Sequence, residues 1–507
     1  MLSLHEMNHW IVAPVLLPAA VAGGLMLAGG TVPLRVQRML GLLATAGLLA
    51  IALALLEQAA DGSQGVYTLG HWRPPFGIAL VLDRLSAVML VLTAALALCA
   101  LVAAVAGGVD AQGRYFHALF QFQLMGLNGA FLTGDLFNLF VFFEVLLIAS
   151  YCLLLTGNTP ARLRAGLHYV VVNLVGSSLF LIAVGLLYAM TGTLNLADLA
   201  HKVPQLAGED RLLVESAALL LLAVFGLKAA LFPLLLWLPS AYAAAAAPVA
   251  ALFAIMTKVG IYSIVRVYVT VFGPAAGEAA PGLGDWVVPA GLITVAWGAL
   301  GALASRRLGS MAAHLTLMSA GTILSVAALT TGPAVSAALY YLLHSTLATA
   351  LLFLVCGAVA ERRGDLGDRL QRAGAAQPVP MGIAFLLSVM LMVGIPPLSG
   401  FLGKAMLLQG SAGAPQAVAI WTVLLASSFV ALIALARAGM TLFWAVRPAP
   451  APPSRAGEMA APILLLAGLL ALTVAAEPVK RFMNATAAQL GDVRSYSEAV
   501  LRAPGRP

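Results

Sequence analysis

The sequence predicts an all-α polytopic membrane protein, and three observations carry that prediction. Hydrophobic residues make up 62% of the 507-residue chain and charged residues only 9%, against roughly a quarter charged in an average soluble domain. The apolar residues gather into about fourteen runs, most of them near the ~20 residues that a bilayer-crossing helix needs. Between the runs, no stretch is long enough for a soluble catalytic domain. A soluble fold of this length would have no way to cover so much apolar surface.

The expected spans are 10–30, 39–57, 78–107, 115–133, 135–156, 165–190, 213–238, 243–271, 283–303, 310–331, 334–358, 380–409, 415–445 and 460–476. The N-terminus MLSLHEMNHW lacks the basic region of a signal peptide, so the first run is expected to remain as a span. Longer connectors fall at 58–77, 191–212, 359–379 and the Pro-rich 446–459. Loops after odd-numbered spans hold thirteen Lys or Arg, and loops after even-numbered spans hold three, Arg73, Lys202 and Arg211. Basic residues favour the cytoplasmic side, so both termini are expected to face outside. The net charge of +7 is scattered over short loops and is no nucleic-acid patch. Cys99, Cys152 and Cys356 stand singly in apolar runs, which points to packing and to no disulfide, zinc or iron–sulfur site.

Buried charge carries the functional signal. Of 27 basic residues only five are Lys, and three of these, Lys228, Lys258 and Lys404, lie deep in spans. Glu144 is the one charged residue in FNLFVFFEVLLIASY, residues 137–151. Four such charges standing alone against lipid would cost on the order of 10 kcal/mol. They must face the protein interior, pair, or line water. Lys228 sits too deep in its span to snorkel. A desolvated Lys releases its proton near neutral pH whereas Arg stays charged, so Lys at these positions suggests that deprotonation matters. Structural pairing is the competing reading.

Two spans look broken. Lys228 lies in FGLKAALFPLLLWLPS, with Pro233 and Pro239 after it. Lys404 lies in VGIPPLSGFLGKAMLL, after Gly394, Pro396, Pro397, Gly400 and Gly403. Proline removes a helical hydrogen bond, and the freed carbonyls are tolerated in a bilayer only beside protein or water. Spans seven and twelve are therefore expected to be pairs of half-helices, each with a Lys near its break. They are five spans apart, which fits two five-helix repeats, the second inverted because five is odd. Interrupted helices in corresponding positions point to an ion pathway. The expected division is 1–114 with helices 1–3, 115–271 with helices 4–8, 272–445 with helices 9–13, and 446–507 with a linker, helix 14 and a tail.

Weaker signals surround these. His314 and His344, in spans ten and eleven, could relay protons or simply bond a backbone carbonyl. His117, His168 and Asp135 lie near span edges and read as structural, as does Arg437. Asp83 and Arg84 could pair within their own span or neighbourhood and read as structural. The Gly-Lys at 403–404 is no phosphate loop, because residue 398 is Leu and residue 405 is Ala. Haem would need paired His from facing helices; no cofactor or metal is expected.

Four segments together carry a family resemblance: GDLFNLFVFFEVLLIASYCLL (134–154), the Lys228 segment, APVAALFAIMTKVGIYSIVRVY (247–268) and GIPPLSGFLGK (394–404). They resemble the D-type subunit of the Mrp/Pha-type multisubunit cation/proton antiporters, over nearly the whole chain. That family is homologous to the antiporter-like subunits of respiratory complex I and membrane-bound hydrogenases. The resemblance implies fourteen helices, a pair of inverted five-helix repeats, and broken seventh and twelfth helices. It matches Glu144 to the family's essential carboxylate, and Lys228, Lys258 and Lys404 to its lysines of the seventh, eighth and twelfth helices. It implies protons and monovalent cations, Na+ or K+, as cargo, other antiporter subunits as partners, and a bacterial inner membrane as location. Two departures favour the cation antiporters over the redox pumps: AYAAAAAP at 241–248 replaces a Pro-rich segment, and Thr349 stands where redox relatives often have Lys.

The resulting expectation is that Glu144 is held ionised by Lys228 across spans five and seven. Protons would then pass by Lys258 and by His314 or His344 to Lys404. Two alternatives stay open: an antiporter-like subunit of a redox-driven proton pump, and a scaffold whose buried charges only fix helix packing.

Overall fold

The computed structural model describes residues 9–28, 31–372, 379–444 and 457–503. Residues 446–456 of the Pro-rich linker, with Arg447 and Arg455, lie outside them, as does most of the N-terminal decapeptide. The first helices are α1 (Ala13–Leu27), α2 (Leu34–Ala59), α3 (Arg84–Gly107), α4 (Phe116–Leu132), α5 (Leu136–Leu154) and α6 (Pro160–Thr191). Next come the short α7 (Leu196–Lys202), then α8 (Gly208–Lys228), α9 (Trp237–Ala244), α10 (Ala247–Phe253) and α11 (Met256–Thr270). The second half holds α12 (Leu283–Ala304), α13 (Leu308–Ala327), α14 (Gly332–Arg362), α15 (Val379–Val393), α16 (Ser399–Ser411) and α17 (Ala417–Gly439). The chain closes with α18 (Ala460–Val474), α19 (Ala476–Gly491) and α20 (Val493–Leu501).

Local signals set the boundaries. Asp83 caps α3 through a capping box with Ser86, and Asp135 caps α5 by accepting from Asn138 N–H. Thr159 precedes Pro160 at the start of α6, where the missing N–H costs nothing.

Among the described residues, nine helices are long and apolar enough to cross a bilayer, ten if the bent pair α18–α19 is one span. The sequence reading of about fourteen also includes α1 and α15, of 15 residues each, α4, of 17, and the interrupted α8–α9. These fall short of a full uninterrupted apolar span.

The α10–α11 segment is the axis of the molecule: it is buried along its whole length, while α2 and α17 expose most of theirs. Between α2 and α3, the expected connector instead folds into an antiparallel hairpin, β1 (Gly65–Thr68) against β2 (Ala79–Leu82). The tail is likewise ordered. α19 turns 78° from α18 and is tied down by Gln489, which donates to Gly62 O at 2.9 Å and accepts from Arg84 N–H at 3.1 Å. Asn484 accepts from Ser336 Oγ at 2.5 Å.

Several edge residues take structural partners. Arg437 bridges from α17 to Leu303 O and Ser305 O at the end of α12. His117 Nε2 lies 3.1 Å from Asp110, which Arg38 holds at 2.6 and 2.8 Å. Burial alone would raise the Asp110 carboxyl, but hydrogen bonds from His117 and Arg38 hold it below the usual range. Asp83 does not pair with Arg84. Its carboxylate takes a bidentate bond from Arg266 of α11, at 2.5 and 2.8 Å, while Arg84 reaches Ala60 O. A fork-shaped guanidinium satisfies both carboxylate oxygens, which a same-helix neighbour beside the cap is poorly placed to do.

Candidate functional site

The seventh span is broken, as its prolines require. α8 ends at Lys228 and α9 begins at Trp237, with Pro233 between them. The break leaves backbone groups without helical partners, and side chains supply substitutes. Trp237 Nε1 donates to Leu227 O at 3.0 Å. Phe232 N–H donates to Thr294 Oγ1 of α12 at 2.9 Å. Glycine at 260 lets α11 lie directly against this break, because a Cβ there would sit 2.5 Å from Ala229 N and 2.8 Å from Lys228 C.

Lys228 is buried. Its Nζ donates to Asn173 Oδ1 at 3.3 Å and lies 3.4 Å from both Asn173 O and Ser177 Oγ, all on α6. Ser177 Oγ in turn donates a short hydrogen bond to Glu144 Oε1. Glu144 and Lys228 are thus brought into one chain of hydrogen bonds across α5, α6 and α8. A serine hydroxyl stands between them, and the Phe143 ring lies 5.9 Å from the ammonium. Glu144 is half-buried, on the same side of α5 as the exposed Val141 and Ile148.

Lys258 is fully buried and donates to Ser319 Oγ of α13 at 3.2 Å. Among the described residues, the hydroxyl of its buried neighbour Thr257 finds no hydrogen-bond partner. His314, also on α13, turns away: its Nδ1 bonds Ser310 O of its own helix at 2.8 Å, and its ring packs on Gly301. The structure does not join it to any of the three lysines. The carbonyl four residues back competes successfully for the imidazole.

The twelfth span breaks between α15 and α16, where Gly394 adopts φ 84°, a left-handed conformation suited to glycine. Lys404 reaches back across this break, donating to Val393 O at 2.7 Å, Met392 O at 3.3 Å and Ser428 Oγ of α17 at 2.8 Å. His344 is buried at the same break, with Nε2 3.2 Å from Leu391 O and Nδ1 3.0 Å from Ser399 Oγ. Ser399 N–H donates to Thr473 Oγ1 of α18 at 3.0 Å. The buried Thr349 hydroxyl, on the helix that carries His344, finds no partner among the described residues.

Three stations result: Glu144–Ser177–Lys228, Lys258–Ser319, and His344 with Lys404 at the second break. The hydroxyls of Ser177, Ser319, Ser399 and Ser428, and the amide of Asn173, were missed by the sequence reading. Isolated Ser, Thr or Asn in an apolar span is a weak signal, since such side chains commonly bond their own helix. Among the described residues, no group of three or more His, Cys, Asp or Glu is arranged to hold a metal ion.

Fold and site together define a multi-pass membrane protein in which Lys228, Lys258 and Lys404 bond hydroxyls, an amide and the carbonyls of a broken helix. The chain belongs to the NADH:quinone oxidoreductase/Mrp antiporter membrane family, whose model matches residues 133–433. It is 43% identical to a probable K+/H+ antiporter D-type subunit of Rhizobium meliloti, over 98% of each chain. It is 35% identical to the Na+/H+ antiporter D-type subunit of Bacillus subtilis, over 98% of this chain and 100% of the relative. Its fold matches a chain of the Mrp complex from Dietzia sp. DQ12-45-1b with a TM-score of 0.88 at 30% identity, covering 97% of this chain and 99% of the other.

Proposed function

We propose that this protein is the proton-translocating subunit of a multisubunit Na+ or K+/H+ antiporter in a bacterial inner membrane. The observation that carries the reading is the Ser177 hydroxyl shared between Glu144 and Lys228. A hydroxyl can give one proton and accept another, so it joins acid and amine without welding them into a fixed ion pair. A proton held on Lys228 while Glu144 is ionised is stabilised by that charge; separation leaves a buried, unpaired ammonium, which is costly. The proton then moves inward to Lys258, and on through His344 to Lys404. Cation movement in the opposite sense completes the exchange, with other antiporter subunits as partners. Residues 115–271 and 272–445 form the two inverted repeats in this reading, and both termini face outside.

The family description also covers redox complexes, so an antiporter-like subunit of a redox-driven pump is the second reading. Neighbouring genes separate the two: small antiporter subunits in one case, quinone or hydrogenase subunits in the other. The decisive experiment is cation-dependent proton flux in everted vesicles carrying the whole operon. Glu144→Ala is expected to assemble and to lose antiport. Wild-type exchange in that variant would remove the reading.

A further inference from the structure

The Asp83–Arg266 ion pair has no part in the path described above, yet it lies on the helix that carries Lys258. Lys258, Tyr262 and Arg266 recur at four-residue spacing and so share one face of α11, with about 12 Å of helix rise between the lysine and the arginine. This face offers a direct route from the central lysine to the membrane face on which the tail packs.

We propose that Arg266, locked by Asp83 and flanked by Tyr262 and Tyr496, is the seal that closes this route. Protons arriving at Lys258 then leave only through the second broken helix. The inference rests on the proposed proton path.

Four features argue for it. Asp83 and Arg266 have side chains only 5% exposed each, and they are joined at both oxygens. A guanidinium does not release its proton at any working pH, so it neither relays nor accepts one, unlike Lys258. Tyr262, the one hydroxyl between Lys258 and Arg266 on this face, is already occupied: it donates to Phe131 O at 2.7 Å and accepts from Arg266 Nε at 3.2 Å. Its single proton is committed to Phe131 O, so it has none free to hand on. The small cavity beside Tyr262 is lined by apolar side chains, among them Leu85, Met89, Ile261, Val265 and Leu339. Finally, the tail covers the pair, with the buried Tyr496 ring 5.9 Å from the guanidinium opposite the Tyr262 ring at 5.3 Å.

The test is the decay of an imposed pH gradient, without added Na+ or K+, in vesicles carrying the complete antiporter. Removing both charges with Asp83→Asn and Arg266→Gln should speed decay about tenfold, the loss of a barrier of roughly 1.4 kcal/mol. Adding Lys258→Leu should return it to the wild-type rate. An assembled double variant that holds the gradient as wild type does would overturn the seal. A charge swap, Asp83→Arg with Arg266→Asp, tells a seal from a staple between α3 and α11: the seal predicts leak, and a tight swapped complex contradicts it. Where neither double variant assembles, Tyr496→Ala decides, since faster decay supports the seal and an unchanged rate removes it. Glu144→Ala keeps the two readings apart: antiport lost there with a tight double variant sinks the seal alone, whereas antiport retained sinks the path.

Discussion

The two broken helices solve one physical problem in two ways. Each break frees backbone carbonyls and N–H groups inside a bilayer, where they must find partners within the protein. In both, an N–H is taken by a threonine two spans further on: Phe232 by Thr294, Ser399 by Thr473. The carbonyls are treated differently. At the first break the Trp237 indole takes Leu227 O. At the second, Lys404 takes Val393 O and Met392 O, and His344 takes Leu391 O. The lysines accordingly lie on opposite sides of their breaks, Lys228 before Pro233 and Lys404 after Pro397. With the indole in place, Lys228 is free to bond Asn173 and Ser177, and through Ser177 to meet a carboxylate. Lys404 holds its helix together and, in the proposed path, ends the line of amines.

That difference is open to direct attack. Lys404→Met should be the most damaging to assembly, because each carbonyl left without a donor costs about 1–3 kcal/mol. Lys228→Met, whose lost partners are an amide and a hydroxyl able to repair locally, should assemble far better while still losing antiport. Survival of the complex on heating in detergent ranks the two, and equal losses would erase the contrast. Trp237→Phe comes next, with a loss of about 1.5 kcal/mol for one of the two hydrogen bonds on Leu227 O, which keeps the one from Ala230 N–H, and slower exchange as Lys228 is drawn to the freed lone pair. Smallest are Thr294→Val and Thr473→Val, each expected to lower stability by about 1 kcal/mol. Near-identical shifts in Tm would support the correspondence between breaks, and unequal ones would weaken it.

The sequence made the membrane fold legible through composition, and both breaks through Pro233, Pro396 and Pro397, whose effect on a helix is local. Burial of Lys228 and Lys258 followed from the cost of charge in hydrocarbon, whereas Lys404 is only partly buried. Partners were harder to see, because they come from other spans. Ser177 lies 51 residues from Lys228, and Arg266 lies 183 residues from Asp83. No periodicity within one helix reports such pairs. His314 and His344 looked alike in sequence, yet one found a carbonyl on its own helix and the other the carbonyl of a broken neighbour. The tail helices α19 and α20 escaped notice because neither is apolar enough to read as a span.

The central claim is that Lys228 passes on a proton received beside Glu144, and Lys228→Arg tests it most directly. Arginine keeps the positive charge but does not give up a proton. Measured as cation-dependent proton flux with the assembled complex, the account predicts an inactive Lys228→Arg variant present at wild-type levels. An arginine variant exchanging cations for protons at the wild-type rate would show that charge alone suffices at this position, and would contradict the account.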